Sequence, residues 1–313
     1  MNKVKAFINP QAGRVGMANN LIQGLESFRN EGLISRLEIV LTESEEASRK
    51  RVMQEDHSDF DFLLAAGGDG TINNIVNGLL AGGQEIPLLI CAAGTVNDFG
   101  VANALPQDLA DLEEILKHHQ TMPVDVGEAN GVNFLNVAAG GFLSEISFLT
   151  PRTMKMFLGQ FAYYLTAAVN IHQILRPYPL KITGDHFEIE DHFFFFTFGN
   201  CQSIGGFRNL VPDANVQDGL FDLLCLRADP HYLRPTILPL LIDVLNGGHL
   251  SHPAIFHTQS SRLRIESSRD IIIDLDGEEG PHLPVELKVK KRALNLIVPL
   301  VHRTRADSKL ELV

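Results

Sequence analysis

Apolar residues along the first 125 positions fall in short unbroken runs separated by amphipathic or charged stretches, the spacing of alternating strands and helices. Val4–Ile8 reads as a strand, and after a polar loop Met17–Glu31 reads as a helix. Leu37–Thr42 is a second strand, Glu45–Asp56 a charged helix, and Phe62–Ala66 a third strand. Ile72–Leu80 places Ile72, Ile75, Val76 and Leu79 on one helical face, and Pro87–Ala92 is a fourth strand. Strands that are apolar throughout, with helices between them, indicate a parallel sheet covered on both faces. Ligands gather beyond the carboxyl ends of such strands. The loops after the first, third and fourth strands are therefore expected to open on one edge.

Near Asp125 the pattern changes to short strands with turn signals. Val124–Ala129 and Val132–Val137 flank Asn130-Gly131, a strong hairpin pair. Further strands are predicted at Leu180–Thr183, Phe193–Phe198, Leu220–Leu226, Arg262–Glu266, Ile271–Leu275 and Val285–Val289, with helices at Leu158–Leu175 and Thr236–Leu245. The fold class is thus α/β plus all-β. A doubly wound, mostly parallel α/β nucleotide-binding domain is expected over residues 1–125, and a β-sandwich-like domain over 126–294. The segment from about 295 to 313 is open to packing back onto the first domain.

Composition narrows the function. The chain has 313 residues, 45% of them hydrophobic and 20% charged, enough for two domains with their own cores. Lys+Arg number 26 against 38 Asp+Glu, a net charge of −12. That balance disfavours a dedicated nucleic-acid binder, which must neutralise phosphates. Three scattered cysteines exclude a disulfide framework and offer no zinc spacing, so a reduced, cytoplasmic protein is expected. The apolar run Phe193–Phe198 is far short of the roughly 20 residues of a membrane span. It reads as a buried strand. The last 26 residues carry seven Lys/Arg against two Asp/Glu, the best candidate for a water-side contact with anionic lipid, although a solvated tail reads equally well.

Gly67-Gly68-Asp69-Gly70-Thr71 is the strongest local signal. Glycines at a strand-to-helix turn let backbone N–H groups approach an anion, and the helix dipole adds to the attraction. An aspartate inside such a loop repels phosphate unless a cation bridges them or its carboxylate handles a proton. Gly94-Thr95-Val96-Asn97-Asp98 and Asn9-Pro10-Gln11-Ala12-Gly13-Arg14 fall after the fourth and first strands, on the same expected edge. Asp276-Gly277-Glu278 reads either as a plain hairpin turn or as a carboxylate able to take a proton from an attacking hydroxyl. Asp218, in the loop Pro212–Leu220, either helps bind a hard cation with nearby carbonyls or belongs to a polar loop.

Together these segments resemble the soluble bacterial diacylglycerol kinases and the wider family of lipid kinases that includes sphingosine and ceramide kinases. The resemblance also rests on Phe99, Val124-Asp125-Val126-Gly127, Asn136-Val137-Ala138, Leu158-Gly159, Tyr163-Tyr164, Val211–Ala214 and Asp218-Gly219-Leu220-Phe221-Asp222. It implies an active site in the cleft between the two domains. ATP would be contacted by Asn9, Pro10, Gly13, Arg14, Thr42, Gly67, Gly68, Asp69, Gly70, Thr71, Gly94 and Thr95. Asn97, Asp98 and Asp125 would form the supporting polar network. Asp69 would serve the phosphates and a catalytic Mg2+, and Glu278 would accept the proton with Asp276 as neighbour or substitute. Asp218, with backbone oxygens near Asn215 and Leu220, would hold a second, structural Mg2+.

The chain departs from the family pattern at Ala93, where a proline is usual before the second glycine loop. It departs again at Val101, where an arginine is usual, and at Thr166, where close relatives carry lysine. The expected activity is ATP-dependent phosphorylation of a lipid hydroxyl, most simply diacylglycerol to phosphatidate. Another acceptor (a sphingoid or other lipid alcohol, or NAD) and a binding protein without catalysis are the alternatives. The expected partners are a lipid substrate at the inner membrane face, no nucleic acid and no transmembrane segment; a homodimer is left open.

Overall fold

The computed structural model describes residues 2–11, 16–42, 44–92, 98–141, 176–203, 210–228 and 248–300. The chain divides into two compact units. One comprises residues up to Val124 together with those from Arg292 onward; the other is Asp125–Lys291. The helices expected at 158–175 and 236–245, and the basic tail beyond residue 300, lie outside the described residues.

The first unit alternates β1 (Asn2–Ile8), α1 (Met17–Asn30), β2 (Ile34–Leu41), α2 (Glu45–Gln54), β3 (Phe62–Gly67), α3 (Asp69–Ala81), β4 (Leu88–Ala92), α4 (Asp98–Ala102) and α5 (Leu109–Lys117). Its four strands pair in parallel in the order β2-β1-β3-β4. Every residue of β3 is buried, which is why this strand reads as a continuous apolar run. On one face Val4, Ala6, Ile8, Phe62, Leu64 and Leu89 pack with Leu25 and Phe28 of α1 and with Leu112, Ile115 and Leu116 of α5. Helix α5 was not expected from the sequence, although its starting signal is present: the Asp108 carboxylate accepts the Asp111 N–H at 2.9 Å. Helix α3 starts at Asp69, three residues earlier than its apolar face suggests. The glycine turn is itself the first turn of the helix.

The second unit is built from antiparallel strands. The strand β5 (His119–Ala129) enters it and pairs with β6 (Val132–Phe134) across Asn130 (φ 47°) and Gly131 (φ 92°), the left-handed pair the Asn-Gly signal calls for. It continues with β7 (Val137–Gly141), β8 (Tyr178–Gly184), β9 (Glu188–Gly199), β10 (Phe221–Arg227), β11 (Ile255–Ser260), β12 (Arg262–Ser267), β13 (Ile272–Leu275), β14 (Glu278–His282) and β15 (Val285–Pro299). The 12-residue β9 pairs with β7, β8 and β10. Phe193, Phe196 and Phe198 stand in a core with Phe134, Phe221, Leu180, Ile265 and Leu287, so the phenylalanine run is a buried strand. The single β15 runs from the expected strand Val285–Val289 on into the segment from about 295. Its first half pairs with β12, and Leu296 in its second half pairs in parallel with Leu88 of β4. Arg292, between the halves, has the left-handed φ of 50°.

A charged cluster pins β1 to its surroundings. Lys5 is buried, and its Nζ lies 2.8 Å from Glu38 and 2.5 Å from Glu55. Burial pushes the Glu55 carboxyl up, but the hydrogen bonds and charges of Lys5 and Arg51 pull it further down, to below its ordinary value. Both glutamates reach solvent while the ammonium does not, so the two sides of the pair are unequal. Lys5→Met is expected to cost under about 1.5 kcal/mol, because the released carboxylates can hydrate. The double change Glu38→Gln with Glu55→Gln strands the buried cation and is expected to cost about 3 kcal/mol in denaturant unfolding. Because the folded value of Glu55 is depressed, its contribution is present above the ordinary carboxylate pKa and lost as pH falls through the folded one. An equal loss from both substitutions would contradict this reading.

Candidate active site

The first group of candidate residues meets at the carboxyl ends of β1 and β3. The N–H of Asn9 donates to the Ala66 carbonyl at 2.8 Å, holding the end of β1 against the end of β3. The Asn9 Nδ2 donates to Thr71 Oγ1 at 2.9 Å, and Asn9 Oδ1 accepts the Gln11 N–H at 2.9 Å. Thr42 joins the same edge, its N–H donating to the Ile8 carbonyl at 2.9 Å. Pro10 follows Asn9 on the exposed side.

Within Gly67–Thr71 the glycines have different reasons to be glycine. A Cβ on Gly67 would lie 2.5 Å from the Thr71 Cβ, so a side chain there would displace Thr71 and with it the Asn9 bond. A Cβ on Gly68 would meet nothing within 4 Å. Gly68 is the N-cap of α3 and makes no side-chain cap, so no side chain at position 68 stands between the first turn and an approaching anion. Asp69 opens the helix and is exposed; Thr71 is buried. A pocket of about 480 Å3 opens at the same strand ends, lined by Asn9, Ala18, Leu21, Ala66, Cys91 and Leu109 among others. Burial pushes the Cys91 thiol up to about 12, so this sulfur stays protonated and is no nucleophile.

The second group gathers in the other unit. Asp276 and Gly277 (φ 54° and 91°) form the turn between β13 and β14, as the Asp-Gly hairpin reading expects. The turn aspartate also makes a tertiary anchor. Asp276 Oδ2 accepts the Leu135 N–H at 2.6 Å, and its Oδ1 accepts those of Asn136 and Val137 at 2.9 and 2.8 Å. Its own N–H donates to the Val137 carbonyl at 3.0 Å. Burial pushes the Asp276 carboxyl above its ordinary value, against the pull of the three N–H donors. Glu278 stands two residues on, exposed, as the first residue of β14 and opposite Leu275.

Asp125, placed by the sequence at the end of the first domain, is the first residue of the second unit and is fully buried. Its Oδ2 accepts the Gly219 N–H at 2.6 Å, and its N–H donates to the Val216 carbonyl at 2.7 Å. These bonds hold the loop carrying Asn215, Asp218 and Leu220. Inside the loop Asp218 Oδ1 accepts the Leu220 N–H at 2.9 Å, and Asn215 Oδ1 accepts the Gln217 N–H at 3.1 Å. The Asp218 carbonyl accepts Lys291 Nζ at 3.0 Å. The Asp218 side chain, expected to hold the second cation with backbone oxygens near Asn215 and Leu220, is thus turned onto an N–H of its own loop, as is that of Asn215. Among the described residues no three His, Cys, Asp or Glu side chains gather as a metal cluster. Gly13, Arg14, Gly94, Thr95 and Asn97 lie outside the described residues, as do Tyr163, Tyr164, Thr166 and the side chains of Asp98 and Val101.

Asn200 and the amides of residues 135–137 escaped the sequence reading as functional groups. Only the segment Asn136-Val137-Ala138 drew notice, and nothing marks a lone asparagine after an apolar strand.

Residues 3–129 match the diacylglycerol kinase catalytic domain family, and residues 145–298 match the YegS C-terminal NAD kinase beta sandwich-like domain family. A diacylglycerol kinase of Bacillus subtilis (strain 168) is 33% identical over 309 residues, covering 96% of this chain and 97% of that protein. One of Staphylococcus haemolyticus is 34% identical over 241 residues, covering 77% and 72%. A solved structure of a candidate diacylglycerol kinase from Bacillus anthracis (strain Sterne) superposes with a TM-score of 0.77 at 28% identity, covering 95% of both chains. The chain belongs to the diacylglycerol kinase family and is a kinase phosphotransferase. No helix among the described residues is long and apolar enough to cross a membrane.

The two glycines are separable by experiment. Gly67→Ala is expected to cost about 2 kcal/mol through the overpacked contact with Thr71. Gly68→Ala should cost under about 1 kcal/mol, the difference between glycine and alanine at an N-cap. Thermal unfolding of the two variants checks this, and equal losses would refute it.

Proposed function

We propose that this chain transfers the γ-phosphoryl group of ATP to the hydroxyl of diacylglycerol, giving phosphatidate. The observation that carries the reading is the start of α3, where the N-cap is Gly68, which brings no capping side chain and at which an added Cβ would meet nothing within 4 Å, and where Asn9 steadies Thr71. The names of the relatives supply the acceptor class.

Family membership implies ATP as phosphoryl donor. Phosphoryl transfer proceeds in line, with charge spread over the γ-phosphate oxygens, so the protein's task is positioning and charge stabilisation. The N–H groups of the α3 first turn take the phosphate tail, and glycine at position 68 lets it come close. Asp69 opens that turn as a carboxylate beside phosphates. One carboxylate plus phosphate oxygens is the donor set Mg2+ commonly accepts. The fit is good, and Asp69 would hold the ion there; when bound, magnesium neutralises charge on the transferring group. Glu278 takes the proton of the acceptor hydroxyl. Asp276 fits a different part, since its two oxygens are committed to three backbone N–H groups. It is a positioning residue that fixes the turn on which Glu278 stands. Asp125 fixes the Asp218–Leu220 loop, and the structural Mg2+ proposed there would rest on Asp218 with backbone oxygens.

The reading is tested with γ-32P-labelled ATP and dioleoylglycerol in mixed micelles, with NAD in a parallel arm. Labelled phosphatidate formed only with Mg2+ is the expected result; labelled NADP with no labelled lipid would overturn it. Asp69→Ala should abolish transfer with folding intact. Glu278→Ala should lower kcat by about 10²- to 10⁴-fold and change the KM for ATP little, the loss typical of a missing general base. An active Asp69→Ala enzyme would remove the mechanism.

A further inference from the structure

Asn200, directly after β9, makes more tertiary bonds to the candidate carboxylate network than any part of the motifs predicts. It is 1% exposed. Its Nδ2 donates to the Asp125 carbonyl at 2.8 Å and to the Leu135 carbonyl at 3.3 Å, and its N–H donates to the Asn136 carbonyl at 2.8 Å. One residue therefore binds three carbonyls on two separate segments. Each segment also holds a candidate carboxylate. Asp125 carries its own, fixed to Gly219, while the N–H groups of Leu135 and Asn136 donate to Asp276. A peptide group whose carbonyl accepts one bond while its neighbour's N–H donates another passes polarisation and position along the chain of bonds.

We infer that Asn200 is a positioning residue for phosphoryl transfer: it sets Asp125 and the amide row behind Asp276, and through Asp276 the turn bearing Glu278, in one fixed arrangement. The inference rests on the proposed kinase reaction and adds to it a residue outside the glycine and Asp-Gly motifs. Loss of the side-chain amide leaves two carbonyls without their donor and lets Asp125 and residues 135–136 move apart. Asn9 and the glycine turn, to which ATP is assigned, take part in none of the bonds just given. The effect therefore falls on kcat and spares KM for ATP.

Thr197 provides a matched control. It lies on the same strand, is fully buried, and its Oγ1 has no hydrogen-bond partner among the described residues. Steady-state kinetics of Asn200→Ala, Asn200→Ser and Thr197→Val, with ATP and dioleoylglycerol in mixed micelles, test the inference alongside thermal melts of each variant. Asn200→Ala is expected to lose at least about 30-fold in kcat with the KM for ATP within about 3-fold of the parent. Asn200→Ser, which keeps one donor, should recover part of the loss, and Thr197→Val should keep both parameters. Should Asn200→Ala not fold, Asn200→Ser alone decides: a kcat lowered about 10-fold in a folded protein supports the inference. Parent-like kcat in either folded Asn200 variant overturns it, as does a kcat loss shared by Thr197→Val or failure of both Asn200 variants to fold. A parent enzyme that labels no lipid overturns the proposed function as well, which separates the two failures.

Discussion

Three consecutive backbone N–H groups, those of Leu135, Asn136 and Val137, converge on the carboxylate of Asp276. Charge-assisted bonds of this kind are stronger than neutral ones. They also join parts of the chain about 140 residues apart in sequence. Without a fixed acceptor these donors would be buried and unpaired, so the turn has essentially one place to sit. The rest of the site geometry in the second unit follows from it. Glu278 projects from the turn that Asp276 anchors, and the opposite sides of the same peptides accept from Asn200, which reaches Asp125.

The first unit uses backbone where the second uses carboxylates. Its edge is made by strand ends and a helix start, with Gly67 giving room to Thr71 and Gly68 bringing no side chain to the helix N-cap. A helix start of this kind attracts anions by dipole and N–H geometry, and the exposed Asp69 carboxylate on it calls for a cation wherever phosphates bind beside it. A phosphoryl-transfer enzyme needs both halves of this chemistry, charge stabilisation on the donor and a proton acceptor for the attacking hydroxyl.

Most strands of both units were legible because burial on both faces leaves unbroken apolar runs, as in β3, and because Asn130-Gly131 and Asp276-Gly277 carry turn chemistry in two residues. The continuity of β15 was hidden by Lys288, Lys290, Lys291 and Arg292, charged residues that interrupt its hydrophobic pattern although Leu287 and Leu294 on either side are buried. Strand β11 was missed because its residues are mostly half-buried and follow no clear alternation. The glycine turn announced itself by composition. Its merger with α3 did not, since helix starts are set by capping geometry that short Gly-rich segments do not spell out. The double use of Asp276 was equally hidden. A turn aspartate and an anchoring aspartate have the same letter in the sequence, and only the tertiary approach of residues 135–137 distinguishes them.

Amide hydrogen exchange at Leu135, Asn136 and Val137, compared between the parent protein and Asp276→Asn, reads the anchor itself. The account predicts slow exchange at all three in the parent and a selective rise at these positions in the variant, while amides of β3 and β9 stay protected. Exchange at residues 135–137 that is fast in the parent, or unchanged in the variant, would contradict the claim that this carboxylate anchors the β13–β14 turn to that segment.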